Sequence, residues 1–596
     1  MSMPFGPIER PSLGLGLLQA AAQRAGFECH TRYLGFDLAE RIGLSSYQWV
    51  SHSLPYDAFV GEWLFTAALH GAHPDRDLRF ESEVLRDGWH LDEQSIASLQ
   101  WLRQECTTFI DECADQVNWA DYDVVGFTST FHQNIAALAM AAEVKRRVPS
   151  ITTVAGGANW EGEMGAALLD HYPQVDYACS GEADRSFPQL LTALANDDDP
   201  ASVPGVLVAG MASGNAAGDP INDLDELPIP DFAPYYGQLA DSAFADEISP
   251  ALLLETARGC WWGAISHCTF CGLNGESMSF RSKSPERVLA EIEELTTRWG
   301  ADVVSVVDNI LDMRYFRSVL GQLAERPNKP DIFWEVKANL SRSQVQLLSD
   351  AGVVTVQPGI ESLSNDVLSL MAKGTTAVQN VAMLKWCMEY GVTPEWNLLY
   401  GFPDENPDDY EQMRVQFAAL HHLNPPSGSG SIRVDRFSPY HENPGSFGME
   451  DLTPAKPFGF LYPDTGDDLY RIAYYFDFRY GDGRRPSDYA SGALGAIETW
   501  RRRSNDATFW MFSEGDARIL CDSRGQKTRT ARLEGWKAAV YDACDRGRTR
   551  KEIDQLDELH GVTDDEVDTF LDRCLKTGAM MTDGERYLAL AVAKPA

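Results

Sequence analysis

The sequence lacks long apolar runs. None of its 596 residues lies in a run close to the ~20 consecutive apolar residues that a helix needs to span a bilayer, so we predict no membrane-spanning helix. The apolar segment 13–23 also lacks the basic stretch of a signal peptide, because Glu9 and Arg10 cancel in front of it. We therefore predict a helix at residues 13–23 and no membrane partner.

Positive charge is scarce. The chain has 50 Lys and Arg residues against 88 Asp and Glu residues, which gives a net charge of −38 and a pI near 4.6. Proteins bind nucleic acids and anionic membranes through basic surfaces. The charge balance therefore argues against both kinds of surface, and we expect no nucleic-acid partner.

Paired cysteines are absent too. The chain has 11 cysteines, an odd number, and they are scattered except for one cluster. A disulfide framework typical of secreted proteins would show an even number at regular spacing. We predict free thiols and a reducing, cytoplasmic location. The sequence also shows no internal repeat and no long low-complexity tract.

The patterning of the first two hundred residues indicates an α/β fold. Apolar and β-branched runs alternate with a helical pattern, which is typical of βαβ units and a parallel sheet. We predict a doubly wound, Rossmann-like domain over residues 1–214. Ligands of such folds bind past the carboxyl ends of the strands. The candidate binding loops are 128–130, 156–158 and 180–182.

A second α/β region follows. Periodicity fades over residues 215–247, where Pro and Asp cluster, and we interpret this stretch as a linker. At least five strand–helix units then predict a full or partial TIM-like barrel over residues 248–425. Ser284 and Pro285 fit the N-cap and first position of one of its helices. Residues 426–505, rich in Pro, Gly and aromatics, are assigned as a barrel extension and substrate region.

The last ninety residues change character. Thr549 with Glu552 and Thr563 with Glu566 form two capping boxes, and an Asp-Gly turn marks a hairpin within residues 582–592. This pattern predicts a winged-helix-like module over residues 506–596. The module carries 18 acidic and 14 basic residues, the wrong sign for binding DNA.

One cluster carries three cysteines in RGCWWGAISHCTFCGLNG, residues 258–275. Cys260, Cys268 and Cys271 are unevenly spaced, and iron–sulfur clusters are held by thiolates. Three thiolates would leave one iron of a [4Fe–4S] cluster open to a small molecule. A zinc site with His267 as fourth ligand and a set of thiols without metal remain open as alternatives.

The cluster and several other segments resemble a known family. The aromatic between the last two cysteines, in CTFC, resembles the radical S-adenosylmethionine superfamily, although the gap before CxxC is seven residues here and usually shorter there. The wider gap is similar to cobalamin-dependent branches. Together with FRSKSP, the cluster resembles the branch that matures ribosomally synthesised peptides. The other segments that share this resemblance are VAGGAN, YACSGEAD, VQPGIES, WNLLYGFPDE and RFSPYHENP.

The resemblance implies roles for residues of the predicted barrel. Cys260, Cys268 and Cys271 would hold the [4Fe–4S] cluster, whose open iron would bind S-adenosylmethionine. The residues implied in binding that cofactor are Phe270 near the adenine, Asp308 and Asn309 near the methionine end, Glu361 at a ribose hydroxyl, and Asn397. The glycine-glycine-glutamate pattern common in the superfamily is absent, and each of the last four is also an ordinary polar residue at a strand end.

The resemblance implies cobalamin in the front domain. The residues that would bind it are Thr128, Ser129, Thr130, Gly156, Gly157, Gly181 and Glu182, because glycines let a flat ring approach the backbone and hydroxyls donate to ring nitrogens. The Asp-x-His-x-x-Gly motif that supplies a cobalt ligand in other cobalamin proteins is missing, and the spacing of His132 does not match it. Cobalamin is therefore expected without a histidine on cobalt.

The remaining expectations concern catalysis. Trp261 and Trp262 would line the space between the cofactors, and Tyr440 would contact the substrate. The resemblance implies a ribosomal precursor peptide as substrate, an electron donor for the cluster, and C-methylation of an unactivated carbon through methylcobalamin and a 5′-deoxyadenosyl radical. The C-terminal module would grip the leader of the precursor as an added strand. Radical cyclisation or rearrangement, and a non-catalytic leader-binding scaffold, are the alternatives.

Overall fold

The computed structural model describes residues 1–210, 218–273, 275 and 277–594. The end of the predicted front domain and the start of the predicted linker, residues 211–217, lie outside the described residues.

The chain opens with helices. They are α1 (Leu13–Arg24), α2 (Leu34–Ile42), α3 (Leu44–Gln48), α4 (Val60–His70), α5 (Pro74–Phe80) and α6 (Glu93–Asp115). The expected alternation of strand and helix is therefore wrong before residue 124, although the helix predicted at residues 13–23 is confirmed. The reason is helical periodicity, since α6 buries Ile96, Leu99, Cys106, Phe109 and Cys113 along one face.

The predicted parallel sheet follows. Its elements are β1 (Val124–Thr128), α7 (Asn134–Arg147), β2 (Thr152–Gly156), α8 (Gly162–His171), β3 (Tyr177–Cys179), α9 (Ala183–Ala195) and β4 (Val206–Leu207). The strand order is β1-β2-β3-β4, with the first three strands parallel and β4 antiparallel. Thr128 pairs with Gly156, and Gly156 with Cys179, so the three strands end level and their loops lie side by side.

A second parallel sheet forms the partial barrel. After α10 (Ala233–Asp241), a helix inside the predicted linker, the strands of this region are β5 (Leu252–Leu254), β6 (Ala257–Arg258), β7 (Arg281–Ser282), β8 (Val303–Val306), β9 (Asp331–Val336), β10 (Val353–Pro358), β11 (Thr393–Pro394), β12 (Asn397–Tyr400) and β13 (Gly428–Ser431). Of these, β6 and β7 form an antiparallel pair outside the parallel sheet. The order β11-β10-β9-β8-β5 is parallel throughout, and β12 pairs with β13. A single bridge between Glu361 and Leu398 joins the two groups.

Helices between these strands cover the barrel. They are α11 (Pro285–Trp299), α12 (Val319–Ala324), α13 (Arg342–Asp350), α14 (Asn365–Leu370), α15 (Ala377–Tyr390) and α16 (Pro407–Phe417). The predicted N-cap of α11 is confirmed, because the Ser284 hydroxyl accepts a hydrogen bond from the backbone of Arg287. Leu254, Val304, Ile332 and Val356 of the strands are fully buried in one core with these helices.

An antiparallel sheet follows the barrel and packs on the front domain. Its elements are β14 (Val434–Asp435), α17 (Pro439–Glu442), β15 (Met449–Pro454), α18 (Phe458–Leu461), α19 (Leu469–Ile472), β16 (Tyr475–Tyr480) and α20 (Pro486–Arg503). Phe458 and Tyr475 share one hydrophobic core with Phe59 of the front domain. The Phe59 ring centroid lies 4.9 Å from that of Phe458.

The C-terminal residues form two small sheets and three helices. They are β17 (Phe509–Glu514), β18 (Ala517–Asp522), β19 (Arg529–Leu533), α21 (Trp536–Ala543), β20 (Arg548–Thr549), α22 (Arg550–Ile553), α23 (Asp564–Thr577), β21 (Met580–Thr582), β22 (Arg586–Ala589) and β23 (Val592–Ala593). Both predicted capping boxes and the Asp-Gly hairpin turn are confirmed. The sheet β19-β18-β17-β23 was not anticipated by the sequence pattern. Across the described residues, no helix combines the length and apolar character that crossing a membrane requires.

Candidate active site

The three cysteines lie on the loop between β6 and β7, at the carboxyl end of the barrel sheet. We call residues 259–273 the cysteine loop. Gly259 begins it with a φ of +79°, and a Cβ there would lie 2.2 Å from the Ser279 carbonyl oxygen. Only glycine fits this position without displacing backbone. Cys260, Cys268 and Cys271 are all half-buried free thiols.

Main-chain contacts anchor the CTFC segment. The Thr269 amide donates to the Met371 carbonyl at 3.1 Å, and its hydroxyl donates to the Leu370 carbonyl at 3.0 Å. His267 Nε2 is hydrogen-bonded to the Cys271 carbonyl at 2.8 Å. That nitrogen is engaged by the loop itself, which weighs against His267 as a fourth ligand.

The two tryptophans hold the seven-residue segment between Cys260 and Cys268 through side-chain hydrogen bonds. Trp261 donates its indole N–H to the Leu311 carbonyl, and Trp262 donates to the Ala372 carbonyl, each at 3.1 Å. Leu311 lies in the connection between β8 and α12, and Ala372 in the connection between α14 and α15. Each ring is half-buried, so Trp261 and Trp262 both support the loop and expose part of their surface beside it.

The three thiols and two neighbouring lysines affect the acidity of one another. Burial and the neighbouring thiols Cys268 and Cys260 together raise the pKa of Cys271 to about 12, against a backbone hydrogen bond from Leu273 that lowers it. Burial also raises the pKa of Cys268, while the charges of Lys373 and Lys337 lower it. Three thiols on one loop beside two ammonium groups fit an anionic iron–sulfur cluster in donor type and number.

The described residues contain no ready-made site for a single metal ion. Within residues 1–210, 218–273, 275 and 277–594, no three His, Cys, Asp or Glu side chains are arranged to hold a single metal ion. In a cubane each thiolate binds its own iron, so the thiols stand further apart than around one ion.

Two lysines beside the thiols were not predicted from the sequence. Lys337 places its ammonium nitrogen 3.3 Å from the centroid of the Trp262 ring and donates to the Lys373 carbonyl at 2.7 Å. Burial, together with the charge of Lys373, lowers the pKa of Lys337 to about 8. Lys373 lies 3.4 Å from Glu361, whose charge raises the pKa of Lys373 against the opposing effect of burial. Lys337 directly follows β9, a position that could have marked it as a candidate.

The predicted S-adenosylmethionine residues occupy different surroundings. Glu361 lies at the mouth of the barrel with a φ of +56°. Asp308 is buried, and its carboxylate accepts from the amides of Thr256 at 2.7 Å and Ala257 at 2.9 Å, so it supports the approach to the cysteine loop. Burial raises the pKa of Asp308 to about 7. Asn309 is half-buried beside it.

The other predicted barrel residues lie around the loop and on β12. The Phe270 ring packs edge-on against Phe402 at 5.8 Å, with the Lys373 ammonium 5.8 Å from its centroid. Tyr440 is 1% exposed and donates its amide to the Thr269 carbonyl at 3.1 Å, so it lies behind the cysteine loop, away from open space. Asn397 is exposed on β12.

The front domain holds a cavity of about 550 Å³. It lies between β1–β3 and helices α1 and α9. Thr128, Gly156 and Gly157 line it, as does Gly126, where a Cβ would meet nothing within 4 Å. At Gly157 a Cβ would lie 2.5 Å from the Ser129 carbonyl oxygen. Glycine edges and a hydroxyl at the strand ends fit a flat, nitrogen-containing cofactor such as the cobalamin tail.

The other predicted cobalamin residues are engaged within the protein. The Ser129 hydroxyl is buried and bonded to Asn134 at 3.1 Å, and the Thr130 hydroxyl donates to Gln133 at 3.1 Å. Gly181 adopts a φ of +70° in the turn before α9. None of these three is among the cavity-lining residues.

Glu182 connects the front domain to the cysteine loop. Its carboxylate accepts from Arg281 at 2.6 Å and from Arg258 at 3.1 Å, and Arg258 also pairs with Asp184 at 2.7 Å. The two arginines belong to β6 and β7, which flank the loop. The charge of these arginines outweighs burial and lowers the pKa of Glu182. The front domain and the loop are therefore joined through a shared carboxylate.

A cluster of aromatic rings between the front domain and β16 was also not predicted. Phe131, which has a φ of +45°, stacks on Tyr475 with centroids 5.6 Å apart and planes 3° apart. The Arg433 guanidinium lies 3.8 Å from the Tyr475 centroid, and Tyr56 packs edge-on against Phe131. This aromatic cluster lies directly after the hydroxyl loop 128–130 of the front domain.

Comparison with known proteins identifies the barrel. Residues 254–415, from the end of β5 to α16, match the Radical SAM superfamily. The predicted radical S-adenosylmethionine domain is therefore confirmed for these residues.

Two curated relatives and one solved structure extend the comparison. The chain is 24% identical over 355 residues to an uncharacterized methyltransferase of Pyrococcus horikoshii, covering 58% of this chain and 73% of that protein. It is 24% identical over 300 residues to the hopanoid C-3 methylase of Methylococcus capsulatus, covering 49% of this chain and 55% of that one.

The solved structure is the radical S-adenosylmethionine methyltransferase TsrM from Kitasatospora setae, with cobalamin and a [4Fe–4S] cluster bound. It aligns with a TM-score of 0.54 at 15% identity, over 82% of this chain and 88% of that one. At this identity the similarity concerns the fold alone, and it confirms the predicted α/β architecture.

Proposed function

We propose that the chain is a cobalamin-dependent radical S-adenosylmethionine enzyme that transfers a methyl group to an unactivated carbon of a ribosomally synthesised peptide. The main observation behind this proposal is that the cysteine loop of the barrel is held to the front domain by ion pairs. Arg258 and Arg281, which flank the cysteine loop, pair with Glu182 of the front domain, and the next residue, Ala183, lines the front cavity.

In this proposal the cysteine loop would bind the iron–sulfur cluster and the front domain would bind cobalamin. When bound, the cluster with S-adenosylmethionine supplies a hydrogen-abstracting radical, and cobalamin supplies the methyl group. Cys260, Cys268 and Cys271 would hold the cluster. Lys337 and Lys373 place positive charge beside these thiols, which favours an anionic centre at this position.

The front domain would hold the second cofactor. Thr128, Gly156 and Gly157 offer a hydroxyl and two positions without side chains at the ends of adjacent strands. His132 is buried, and its Nε2 is hydrogen-bonded to the Tyr56 carbonyl at 2.7 Å. That engagement agrees with cobalamin bound without a histidine on cobalt.

The choice of methyl transfer is supported by the relatives, whose names are methyltransferase and methylase. The choice of a peptide rests on the C-terminal module and on the resemblance of the cysteine cluster. In that module β19 is a terminal strand, with β18 as its one neighbour in the described sheet. A terminal strand can accept an extended peptide through main-chain hydrogen bonds.

Anaerobic reconstitution with iron, sulfide and hydroxocobalamin tests the proposal. We expect S-adenosylmethionine cleavage to give 5′-deoxyadenosine and S-adenosylhomocysteine in equal amounts, with a product heavier by one CH₂. Replacing Cys260, Cys268 or Cys271 with Ala should abolish iron loading and cleavage, whereas Cys521→Ala, a half-buried thiol elsewhere, should preserve both.

Other outcomes would redirect the assignment. Formation of 5′-deoxyadenosine without S-adenosylhomocysteine, and with no mass gain, would replace methylation by radical cyclisation or rearrangement. Absence of both iron and cleavage would favour a leader-binding scaffold.

A further inference from the structure

A cleft of about 600 Å³ lies between the barrel and the C-terminal hairpin, away from the cysteine loop and the front cavity. It is bounded by α14, α16 and the turn between β21 and β22. The lining residues are Leu363, Ser364, Asn365, Asp366, Ala377, Asp409, Glu411, Gln412, Met413, Val415, Gln416, Thr582, Asp583 and Gly584. The mechanism proposed above does not use this cleft.

The cleft is acidic. Four carboxylates line it, and its described lining includes no Lys, Arg or His. Glu411 is paired with Arg414 at 2.5 Å, and the Asp583 carboxylate accepts from the backbone of its own turn. Asp366 and Asp409 form no ion pair within the part of the chain that the structure describes, so they carry the charge available to a ligand.

A buried acceptor in the cleft has no donor. Asp409 is only 6% exposed, and its Oδ2 has no hydrogen-bond partner among the described residues. Gln416 Oε1, on the same helix, is likewise buried and without a partner there. An unpaired buried acceptor is costly unless a ligand supplies a donor. Burial raises the pKa of Asp409, a hydrogen bond from the Ser364 side chain to its carboxyl lowers it, and the nearby charge of Asp366 raises it; a bound cation would lower the pKa.

Apolar groups accompany the acceptors. Val415 is 60% exposed on α16, and Met413 and Leu363 lie deeper in the cleft. The cleft therefore offers hydrogen-bond acceptors and negative charge beside an apolar surface. A Lys or Arg side chain matches it, because the charged head can donate to the carboxylates while the aliphatic stem and a neighbouring apolar residue cover Val415.

A short helix connects this cleft to the cysteine loop. Asn365 and Asp366, at the start of α14, line the cleft. At the other end, the carbonyls of Leu370 and Met371 accept the hydrogen bonds from Thr269, between Cys268 and Cys271. Six helical residues span about 9 Å. A segment held in the cleft would therefore lie one short helix away from the thiols.

We propose that the cleft binds a Lys- or Arg-bearing segment of the peptide substrate and anchors it near the active site. This inference rests on the proposed function for the identity of the peptide. The acceptors and charge of the cleft support a cationic peptide independently of the chemistry at the thiols.

The test uses the full chain and a short fluorescein-labelled peptide with one central Lys flanked by Leu, followed by fluorescence anisotropy. We expect Asp409→Asn to weaken binding about tenfold, the effect of losing one charge-assisted hydrogen bond. Asp366→Asn, at an exposed position that folding tolerates, should weaken it several-fold. Glu247→Gln removes the same charge from an exposed site elsewhere and should leave binding unchanged.

Replacing the central Lys of the probe with Gln should weaken binding to the unmodified protein as much as Asp409→Asn does. Equal affinity for the Lys and Gln peptides, or equal effects of the three protein variants, would overturn the proposal. Cleavage of S-adenosylmethionine by the reconstituted protein separates the two ideas. If the protein cleaves S-adenosylmethionine but binds the Lys and Gln peptides equally, only the cleft proposal is wrong. If it prefers the Lys peptide but does not cleave S-adenosylmethionine, only the proposed function is wrong.

Discussion

The carboxylate of Glu182, shared by two arginines, allows a quantitative prediction about the contact between the front domain and the cysteine loop. Glu182→Gln keeps the size of the side chain and removes the charge that Arg258 and Arg281 share. We expect the contact to loosen locally while the separate cores of the two regions stay folded.

The magnitude follows from the burial and the remaining partners. The side chains of Glu182, Arg258 and Arg281 are 22%, 13% and 9% exposed. Breaking a fully buried pair costs about 3–5 kcal/mol. Here Arg258 retains Asp184 at 2.7 Å and Glu255 at 2.9 Å, so we expect about 2 kcal/mol, which raises the opened fraction about 30-fold.

Hydrogen–deuterium exchange measures this opening, because exchange reports local opening free energies. The Ile221 amide, which donates to Glu182 at 3.0 Å, and the peptide carrying Arg258 should both exchange faster in Glu182→Gln. Arg281→Gln should act similarly, and the double variant should cost less than the sum of the two. Arg185→Gln breaks an exposed pair with Glu226 and should cost less than about 0.5 kcal/mol.

If the losses of opening free energy in Glu182→Gln and Arg281→Gln add up in the double variant, or are no larger than the loss in Arg185→Gln, then the ion pairs of Glu182 do not hold the two regions together. The experiment also separates two roles of Glu182. If it contacts cobalamin, Glu182→Gln alone should weaken hydroxocobalamin binding. If it holds the domains together, Asp184→Asn should reproduce its effect. The pKa of Glu182 lies below its usual value, so the contact should persist at neutral pH and weaken as pH falls through that lowered pKa.

Two further substitutions probe the sites themselves. Gly157→Ala should destabilise the front domain by about 2 kcal/mol and weaken hydroxocobalamin binding, because its φ is +93° and the new Cβ would meet Ser129; thermal unfolding and titration that match the unmodified protein would contradict this. Asp308 has a pKa raised to about 7, so the stability associated with its protonated form is lost as pH rises from about 4 to 7. Asp308→Asn stays neutral, so it should lower the free energy of unfolding, measured with urea, by more at pH ~5 than at pH ~8, each relative to the unmodified protein. A loss of free energy that is the same at both pH values would contradict a raised pKa for the buried Asp308 carboxyl.

Local sequence signals predicted much of the fold. The capping boxes at Thr549 and Thr563 and the Ser284 N-cap formed as expected, because these interactions depend on residues three positions apart. The barrel strands were recognisable as β-branched runs. The strands of residues 426–505 were not, since several span two to six residues and depend on pairing with distant partners.

The site was predicted in part for a similar reason. Three cysteines within one loop can be read from the chain, but the approach of Lys373 to Glu361, or of Lys337 to Trp262, depends on the closing of separate strands into one barrel. The contact of Glu182 with Arg281, 99 residues away, likewise exists only after two domains have packed. Of the helices in the first 115 residues only α1 was predicted, because a strand pattern recognised further along was extended over the others.

The braces at Trp261 and Trp262 have a consequence for how the enzyme is assembled. Their indole bonds to two different barrel connections, and the main-chain bonds of Thr269, fix the loop through contacts that involve no iron. The loop therefore loses its conformational freedom when the polypeptide folds rather than when the cluster arrives. We therefore expect the protein to fold and to protect this loop from proteolysis before any iron is bound.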